Sequence, residues 1–149
     1  MTSANATPDY AGDVECNVAW AQLQANPKAQ LVDVRTSAEW NFVGVPDLSG
    51  IGRATLCVEW QRYPDMAIDP GFVGRTGEQL RQAGADENTP VFFICRSGAR
   101  SRAAAKAMAA AGFAHAYNVA GGFEGDLDQD RHRGNRNGWK AAGLPWRQG

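Results

Sequence analysis

The chain has 149 residues, with 15 basic and 16 acidic side chains and a formal net charge of −1. This length predicts a single domain. The near balance of charge argues against the broad basic surface that general nucleic-acid binding needs, so we expect no nucleic-acid partner. Three cysteines without a CxxC pair indicate neither a disulfide framework nor a cysteine zinc site, and we expect no metal and no other cofactor.

The distribution of apolar residues gives no sign of a membrane segment or of a leader. No stretch approaches the roughly 20 apolar residues that cross a bilayer. The polar N-terminus lacks the basic and apolar regions of a signal peptide. We therefore expect a cytoplasmic protein with no membrane contact. The sequence has no heptad pattern, which favours a monomer or a weak dimer.

Apolar runs, capping residues and glycines predict alternating helices and strands along the chain. In chain order these are a flexible polar arm (1–12), a helix (18–25), a strand (31–34), a short helix from Ser37, a glycine-rich loop (44–52), a strand (54–58), a helix (about 70–84), a strand (91–94), a helix (101–111), a strand (116–119) and a helical turn (139–142). This alternation predicts an α/β domain over 13–149, with a parallel central sheet covered by helices on both faces. In such sheets the site lies at the carboxyl ends of the strands.

The strand over 91–94 is the most apolar in the chain, and Cys95 follows it at once. The next residues, Arg96 to Arg100, include Gly98 and small side chains, so their backbone can curl before a helix begins at Ser101. Inward-pointing amides and the positive end of that helix favour the thiolate of Cys95 over the thiol. The same amides form a cradle for an anion. The segment therefore predicts a nucleophile beside an oxyanion pocket.

Two other kinds of chemistry have less support in the sequence. The two histidines, His115 and His132, are remote from Cys95 in sequence, which weakens a Cys/His protease hypothesis. No GxxxxGK[ST] phosphate-binding loop is present, so nucleotide hydrolysis has no motif.

The segment Cys-Arg-Ser-Gly-Ala-Arg-Ser, 95–101, resembles the active loop of single-domain rhodaneses. Residues 31–35 followed by Glu39 and Trp40 are similar to that family's early strand and helix. Residues 118–123 and 138–145 are similar to its carboxyl end. Together the resemblance extends from about Val14 to Trp146.

This resemblance implies a rhodanese-like fold and a sulfurtransferase. Cys95 would attack the outer sulfur of thiosulfate or a related anionic donor, hold the sulfur as a persulfide, and pass it to cyanide, a thiol or a protein thiol. The loop residues would bind the donor and stabilise the persulfide through their amides: Arg96, Ser97, Gly98, Ala99, Arg100 and Ser101. Arg100, and in second place Arg96, would bind the donor's oxyanion. Asp33 and Arg35 would brace the loop.

Two alternatives use the same fold. Rhodanese-like phosphatases place five residues between cysteine and arginine, whereas four residues separate Cys95 from Arg100, which favours sulfur over a phosphoryl group. A phosphatase or arsenate-type reductase would also need an acid, for which Asp65 and Asp69 are unplaced candidates. A non-catalytic regulatory module is the other alternative, and the presence of Cys95 counts against it.

The sequence departs from the family pattern in two places. Gly-Val-Pro-Asp at 44–47 replaces a common Gly-His-Ile-Pro-Gly-Ala, so a histidine is absent there. An extra segment, Glu124 to Gly138, precedes the closing tryptophan. We interpret this insertion as a surface loop held by its own charges, with a wall or lid of the active pocket as the alternative. Cys16 and Cys57 are expected to be packing residues, with a resolving role left open, and Trp60 is a weaker candidate for lining the site.

Overall fold

The computed structural model describes residues 9–62 and 65–148. Most of the predicted arm, residues 1–8, lies outside the described residues. The described strands are β1 (Gly12–Glu15), β2 (Gln30–Asp33), β3 (Val45–Pro46), β4 (Leu56–Cys57), β5 (Gln61–Arg62), β6 (Ala67–Ile68), β7 (Val91–Ile94), β8 (Ala116–Ala120) and β9 (Trp146–Arg147). The described helices are α1 (Cys16–Ala25), α2 (Ser37–Phe42), α3 (Phe72–Gln82), α4 (Ala99–Ala110) and α5 (Gly138–Ala141).

The central sheet has five strands in the order β1-β8-β7-β2-β4, and every neighbouring pair is parallel. Strand β7 lies in the middle, between β8 and β2, and its four residues are fully buried. A continuous apolar run is what a strand covered on both faces requires. The prediction of an α/β domain with a parallel central sheet is confirmed.

The two faces of the sheet carry separate hydrophobic cores. Because successive side chains of a strand point to opposite faces, Phe93 and Cys95 belong to one core, with Met108 of α4. Phe92 and Ile94 belong to the other core, which contains Trp139 of α5. Full burial of each large side chain stabilises the fold by roughly 1.5–3 kcal/mol. The cores therefore fix the end of β7, from which the candidate site begins.

Several element boundaries differ from the predicted ones. Strand β1 was not predicted, since Gly-Asp-Val-Glu has no apolar run. It pairs with β8 from Gly12 onward, so the last residue of the predicted arm already lies in the sheet. Helix α1 begins at Cys16 rather than Val18, with Glu15 instead of Asn17 at its N-cap. Helix α4 begins at Ala99 rather than Ser101, because Gly98, with a φ of 122°, turns the chain two residues earlier.

Two small antiparallel pairs lie outside the central sheet. Strand β3 lies within the predicted 44–52 loop and pairs with β9 at the end of the chain. The same segment contains a 3₁₀ turn at Ser49–Ile51. Strands β5 and β6 form a second pair. Asp69, almost completely buried, forms ion pairs with Arg62 at the end of β5 and with Arg75 of α3. These ion pairs attach the β5–β6 hairpin to α3.

The inserted segment 124–138 is ordered by its own polar groups. The carboxylate of Asp128 accepts hydrogen bonds from the amides of Asp130 and His132, both at 2.9 Å, and from Asn135. Asn137 donates to Asp126, and Arg133 donates to the carbonyl of Gly125. Separately, no helix among residues 9–62 and 65–148 is long and apolar enough to cross a membrane.

Candidate active site

The sulfur of Cys95 lies at the carboxyl end of β7, inside the loop that leads to α4. The residue is 1% exposed. The amide of Gly98 donates to the sulfur at 3.1 Å, and the Ser101 hydroxyl lies 3.2 Å from it. The amide of Gly98, at the N-cap of α4, thus donates directly to the sulfur, and a donor of this kind stabilises negative charge on its acceptor.

The carbonyls of Cys95 and Arg96 are held by the chain that follows β8. The amide of Phe123 donates to the Cys95 carbonyl at 2.8 Å, and the amides of Glu124 and Gly125 donate to the Arg96 carbonyl at 3.0 and 3.1 Å. Gly122, with a φ of 62°, allows this approach, because a Cβ there would lie 2.5 Å from the Cys95 carbonyl oxygen. These hydrogen bonds fix the backbone at the start of the loop, whose Gly98 amide donates to the sulfur.

A cavity of about 350 Å³ opens onto Cys95. It is lined by Glu39, Gln61, Met66, Cys95, Arg96, Ser97, Ala99 and Arg100. The lining combines charged and polar side chains with Cys95, Met66 and Ala99. The volume suits a small anion or a small thiol.

Glu39 of α2 and Arg100 of α4 form an ion pair at the cavity. Two hydrogen bonds join them, Nη1 to Oε1 at 2.7 Å and Nη2 to Oε2 at 2.9 Å. Glu39 also closes a capping box with Thr36 at the start of α2. Although burial alone would raise it, the pKa of Glu39 falls to about 2, because Arg100 and Thr36 bind the carboxylate. Arg100 is therefore paired with Glu39, so an anion that binds Arg100 has to share it with this carboxylate. Arg96 is exposed beside it.

Asp33 and Arg35 form a fully buried ion pair behind the loop. Arg35 Nη2 donates to Asp33 Oδ2 and to the Gly44 carbonyl, both at 2.6 Å. The guanidinium carbon lies 4.4 Å from the centre of the Phe123 ring. Since the Phe123 amide holds the Cys95 carbonyl, the pair connects β2 to the backbone that positions the loop.

Comparison with known proteins identifies the family. Residues 12–149 match the model of the STR4 middle domain. The chain belongs to this family. The structure of Rv0390 from M. tuberculosis is 51% identical, with a TM-score of 0.82 over 94% of this chain and 99% of that one. The polysulfide-sulfur transferase homodimer of Wolinella succinogenes, 24% identical with a TM-score of 0.57 over 95% and 80% of the two chains, shares the fold.

Curated sequences agree with a rhodanese-like domain. The chloroplastic rhodanese-like domain-containing protein 4 of Arabidopsis thaliana is 26% identical over 95% of this chain, which matches 27% of that longer protein. An uncharacterized protein of Rickettsia conorii, RC0915, is 35% identical over 86% of this chain and 90% of its own length. The rhodanese-like fold that the sequence resemblance implied is confirmed.

Other candidate residues of this rhodanese-like domain lie outside the cavity. The Cys16 thiol is buried and directed at the Gly122 carbonyl, 3.4 Å away, and burial raises its pKa to about 12. Cys57 is exposed at the end of β4. Trp60 packs edge-on against Phe72 instead of lining the cavity. Among the described residues, no group of three or more His, Cys, Asp and Glu side chains could hold a metal ion.

Three residues of the cavity were not predicted from the sequence: Glu39, Gln61 and Met66. Gln61 and Met66 belong to the β5–β6 hairpin, whose two-residue strands leave no readable pattern. A weak signal was the stretch 58–64, which reads as a loop and contains Trp60. The inserted segment 124–138 contributes no lining residue to the cavity, although its first residues hold the Arg96 carbonyl.

Proposed function

We propose that the protein is a sulfurtransferase that carries sulfane sulfur on Cys95. The observation that carries the proposal is a cysteine sulfur at the end of the central strand, bound by the Gly98 amide at 3.1 Å, beside a small cavity with Arg96 and Arg100 in its lining. The Gly98 amide donates to this sulfur, and a persulfide anion on Cys95 would find the same donor.

The first step loads the sulfur. The Cys95 thiolate attacks the outer sulfur of thiosulfate, a new S–S bond forms, and the bond to the sulfonate sulfur breaks. Sulfite leaves with the electron pair of that bond, and Cys95 holds a persulfide anion. We assign the loop amides of 96–101 to this anion, and the exposed Arg96 together with Arg100 to the sulfonate oxygens.

The second step delivers the sulfur. Cyanide or a thiolate attacks the outer sulfur of the persulfide, the Cys95–sulfur bond breaks, and the Cys95 thiolate is regenerated. The products are thiocyanate or a new persulfide on the acceptor. The cavity is open enough for a small thiol, and a protein thiol presented on an extended segment is the larger acceptor that we propose.

The phosphatase alternative has less support. Asp69 cannot serve easily as a general acid, because its carboxylate is held by Arg75 and Arg62 and its pKa lies well below the usual range. Asp65 is exposed and does not line the cavity. Neither Asp65 nor Asp69 is therefore suited to protonate a leaving alcohol at Cys95, and Glu39, which lines the cavity, has its pKa lowered to about 2 by Arg100 and Thr36.

Intact mass spectrometry tests the proposal. The protein is incubated with thiosulfate, freed of excess, and weighed beside Cys95→Ser and Cys57→Ser. We expect one added sulfur atom on the wild type and on Cys57→Ser, none on Cys95→Ser, and release of thiocyanate when cyanide is added. Absence of added sulfur from thiosulfate and from polysulfide, with Cys95-dependent hydrolysis of an aryl phosphate, would overturn sulfur transfer.

Assembly and compartment are part of the proposal. A cytoplasmic monomer or weak dimer is what we expect, and light scattering over a range of concentrations measures the oligomeric state. The homodimer of Wolinella succinogenes described above makes the dimer the state to look for at high concentration.

A further inference from the structure

A buried asparagine outside the loop contacts the machinery of Cys95. Asn118 lies on β8, next to β7, and is completely buried. Its carbonyl oxygen Oδ1 lies 2.6 Å from the hydroxyl of Ser101. The same hydroxyl lies 3.2 Å from the Cys95 sulfur and 3.2 Å from the Gly98 carbonyl. A serine has one hydroxyl proton for these three acceptors. A hydrogen bond from Ser101 to Asn118 is therefore a hydrogen bond that the Cys95 sulfur does not receive.

The orientation of the asparagine follows from its other neighbour. Nδ2 of Asn118 donates to Oδ1 of Asp13 at 2.9 Å, and Asp13 is the residue opposite Asn118 in the sheet register. An ionised carboxylate only accepts hydrogen bonds. The amide end of Asn118 must therefore face Asp13, and the carbonyl end must face Ser101.

Asp13 is kept in its ionised form by its surroundings. Burial alone would raise the pKa of Asp13, but hydrogen bonds from Asn118 and Tyr10 and the charge of Arg102 hold it below its usual value. Tyr10 donates to the same carboxylate oxygen as Asn118, at 2.8 Å. That oxygen is thus fixed as an acceptor by two donors.

We propose that Asn118, oriented by Asp13, is a positioning residue that draws the Ser101 proton away from the Cys95 sulfur. In the thiol form, the Cys95 S–H donates to Ser101 Oγ, and Ser101 donates to Asn118 Oδ1. On ionisation the sulfur's proton leaves to solvent through the cavity. Ser101 then turns its proton to the thiolate and leaves Asn118 Oδ1 as a buried acceptor without a donor, which is unfavourable.

Asn118 therefore opposes the effect of the loop amides. A more basic thiolate is the stronger nucleophile, whereas a less basic thiolate is the better leaving group. In sulfur transfer Cys95 is first one and then the other, so this network sets the balance between loading and delivery. That consequence rests on the proposed function; the competition for the Ser101 proton does not.

The charged groups around Cys95 stay constant in the test, apart from Asp13. The groups around Cys95 are Arg96 of the loop, Arg100 of α4, Glu39 of α2, and the pair of Asp33 at the end of β2 with Arg35 just after it. The titratable and charged groups around Asp13 are Tyr10 and Arg102.

The test measures the pH at which Cys95 becomes reactive. Iodoacetamide alkylates the protein over a pH series, and tryptic peptides distinguish Cys95 from Cys16 and Cys57. We expect Asp13→Ala and Asn118→Ala to lower the midpoint pH of Cys95 alkylation by about 1 unit, because Ser101 is then free to donate to the thiolate. In a Ser101→Ala background the effect of Asp13→Ala disappears.

Two control variants separate orientation from charge. Asp13→Asn removes the charge but keeps an oxygen facing Asn118 and Tyr10, so the midpoint stays near that of the wild type. Glu15→Gln removes a neighbouring charge of β1 that has no contact with Asn118, and it also leaves the midpoint in place. An unchanged midpoint in Asp13→Ala, or an equal shift in Asp13→Asn, would overturn the proposal. Alkylation needs no persulfide, so its result is independent of the mass-spectrometric test of sulfur transfer.

Discussion

Glu39 and Arg100 face each other at the Cys95 cavity and share two hydrogen bonds, of 2.7 and 2.9 Å. An anionic donor that is to meet Arg100 must compete with this carboxylate. We therefore expect the pair to weaken the binding of a dianion such as thiosulfate, and the first prediction follows from this.

Glu39→Gln removes one negative charge from the cavity and weakens the hold on Arg100. We expect kcat/KM for thiosulfate to rise about three- to tenfold, the effect of about 1 kcal/mol of relieved repulsion. Steady-state kinetics with cyanide as acceptor measure it. Glu59→Gln is the matched control, since Glu59 accepts from the Ser37 amide beside α2 without lining the cavity. An equal rise in both variants would point to the net charge of the protein instead.

The Glu39–Arg100 pair also predicts how the free energy of unfolding depends on pH. The pKa of Glu39 is about 2 in the folded protein against its usual 4.5, so the unfolded chain binds the proton more readily. The stabilisation from Glu39 is fully present above pH 4.5 and is lost as the pH falls towards about 2. Urea unfolding across this range should show the free energy of the wild type falling more steeply than that of Glu39→Gln. Parallel pH profiles would contradict the prediction.

Gly122→Ala should disrupt the loop that follows Cys95, because residue 122 packs against the backbone of Cys95 and Arg96. The new Cβ would lie 2.5 Å from the Cys95 carbonyl oxygen, at a φ of 62°. We expect a loss of about 3 kcal/mol or more in the free energy of unfolding, with reduced activity. Gly52→Ala is the control, because its φ is 73° and nothing lies within 4 Å of its Cβ. That variant should lose only about 1 kcal/mol, and equal losses would show that the contact with the loop is unimportant.

Met66 is expected to restrict which acceptor reaches the sulfur. Its side chain lines the cavity from the β5–β6 hairpin. Met66→Ala should raise the ratio of kcat/KM for a bulky thiol to that for cyanide roughly threefold, since cyanide needs no additional space. Ile68→Ala changes an exposed residue of the same hairpin that does not line the cavity. A ratio that stays constant in Met66→Ala would exclude the hairpin as a selective wall.

The inserted segment is expected to act as a surface loop. Asp128→Ala removes the acceptor of two backbone amides within 124–138, while the cavity lining stays intact. We expect kcat/KM to remain within about twofold of the wild type, as for surface changes away from a site. A tenfold loss would favour the alternative of a lid over the active pocket.

The sequence was sufficient to predict those parts of the fold that depend on residues close together in the chain. The apolar run 91–94 followed by a cysteine and a glycine-bearing turn was enough to place Cys95 at the end of a central strand. Strand β1 has only Val14 as a large apolar residue, and β5 and β6 have two residues each. None of the three strands therefore shows the alternation of apolar and polar residues that predicts a strand. Strand β1 forms by pairing with β8, which is distant in sequence, whereas β5 and β6 pair with each other as a hairpin too short to show a period.

The same limit applies to the candidate site. The loop residues could be named from one segment, but the partner of Arg100 is 61 positions away. The contact of Ser101 with Asn118, and of Asn118 with Asp13 across the sheet, needs the register of β8 with β1. Which polar groups meet is decided by the order of the strands, and no local pattern records that order.

The carbonyls of Cys95 and Arg96 are held by the backbone amides of residues 123–125, so the curvature of the loop is encoded by main-chain atoms. The side chains of Ser97 and Ala99 line the cavity without making that curvature. These two positions are therefore the natural ones for a combinatorial library. Randomising them should give variants that share Cys95 and differ in the molecules that the cavity admits.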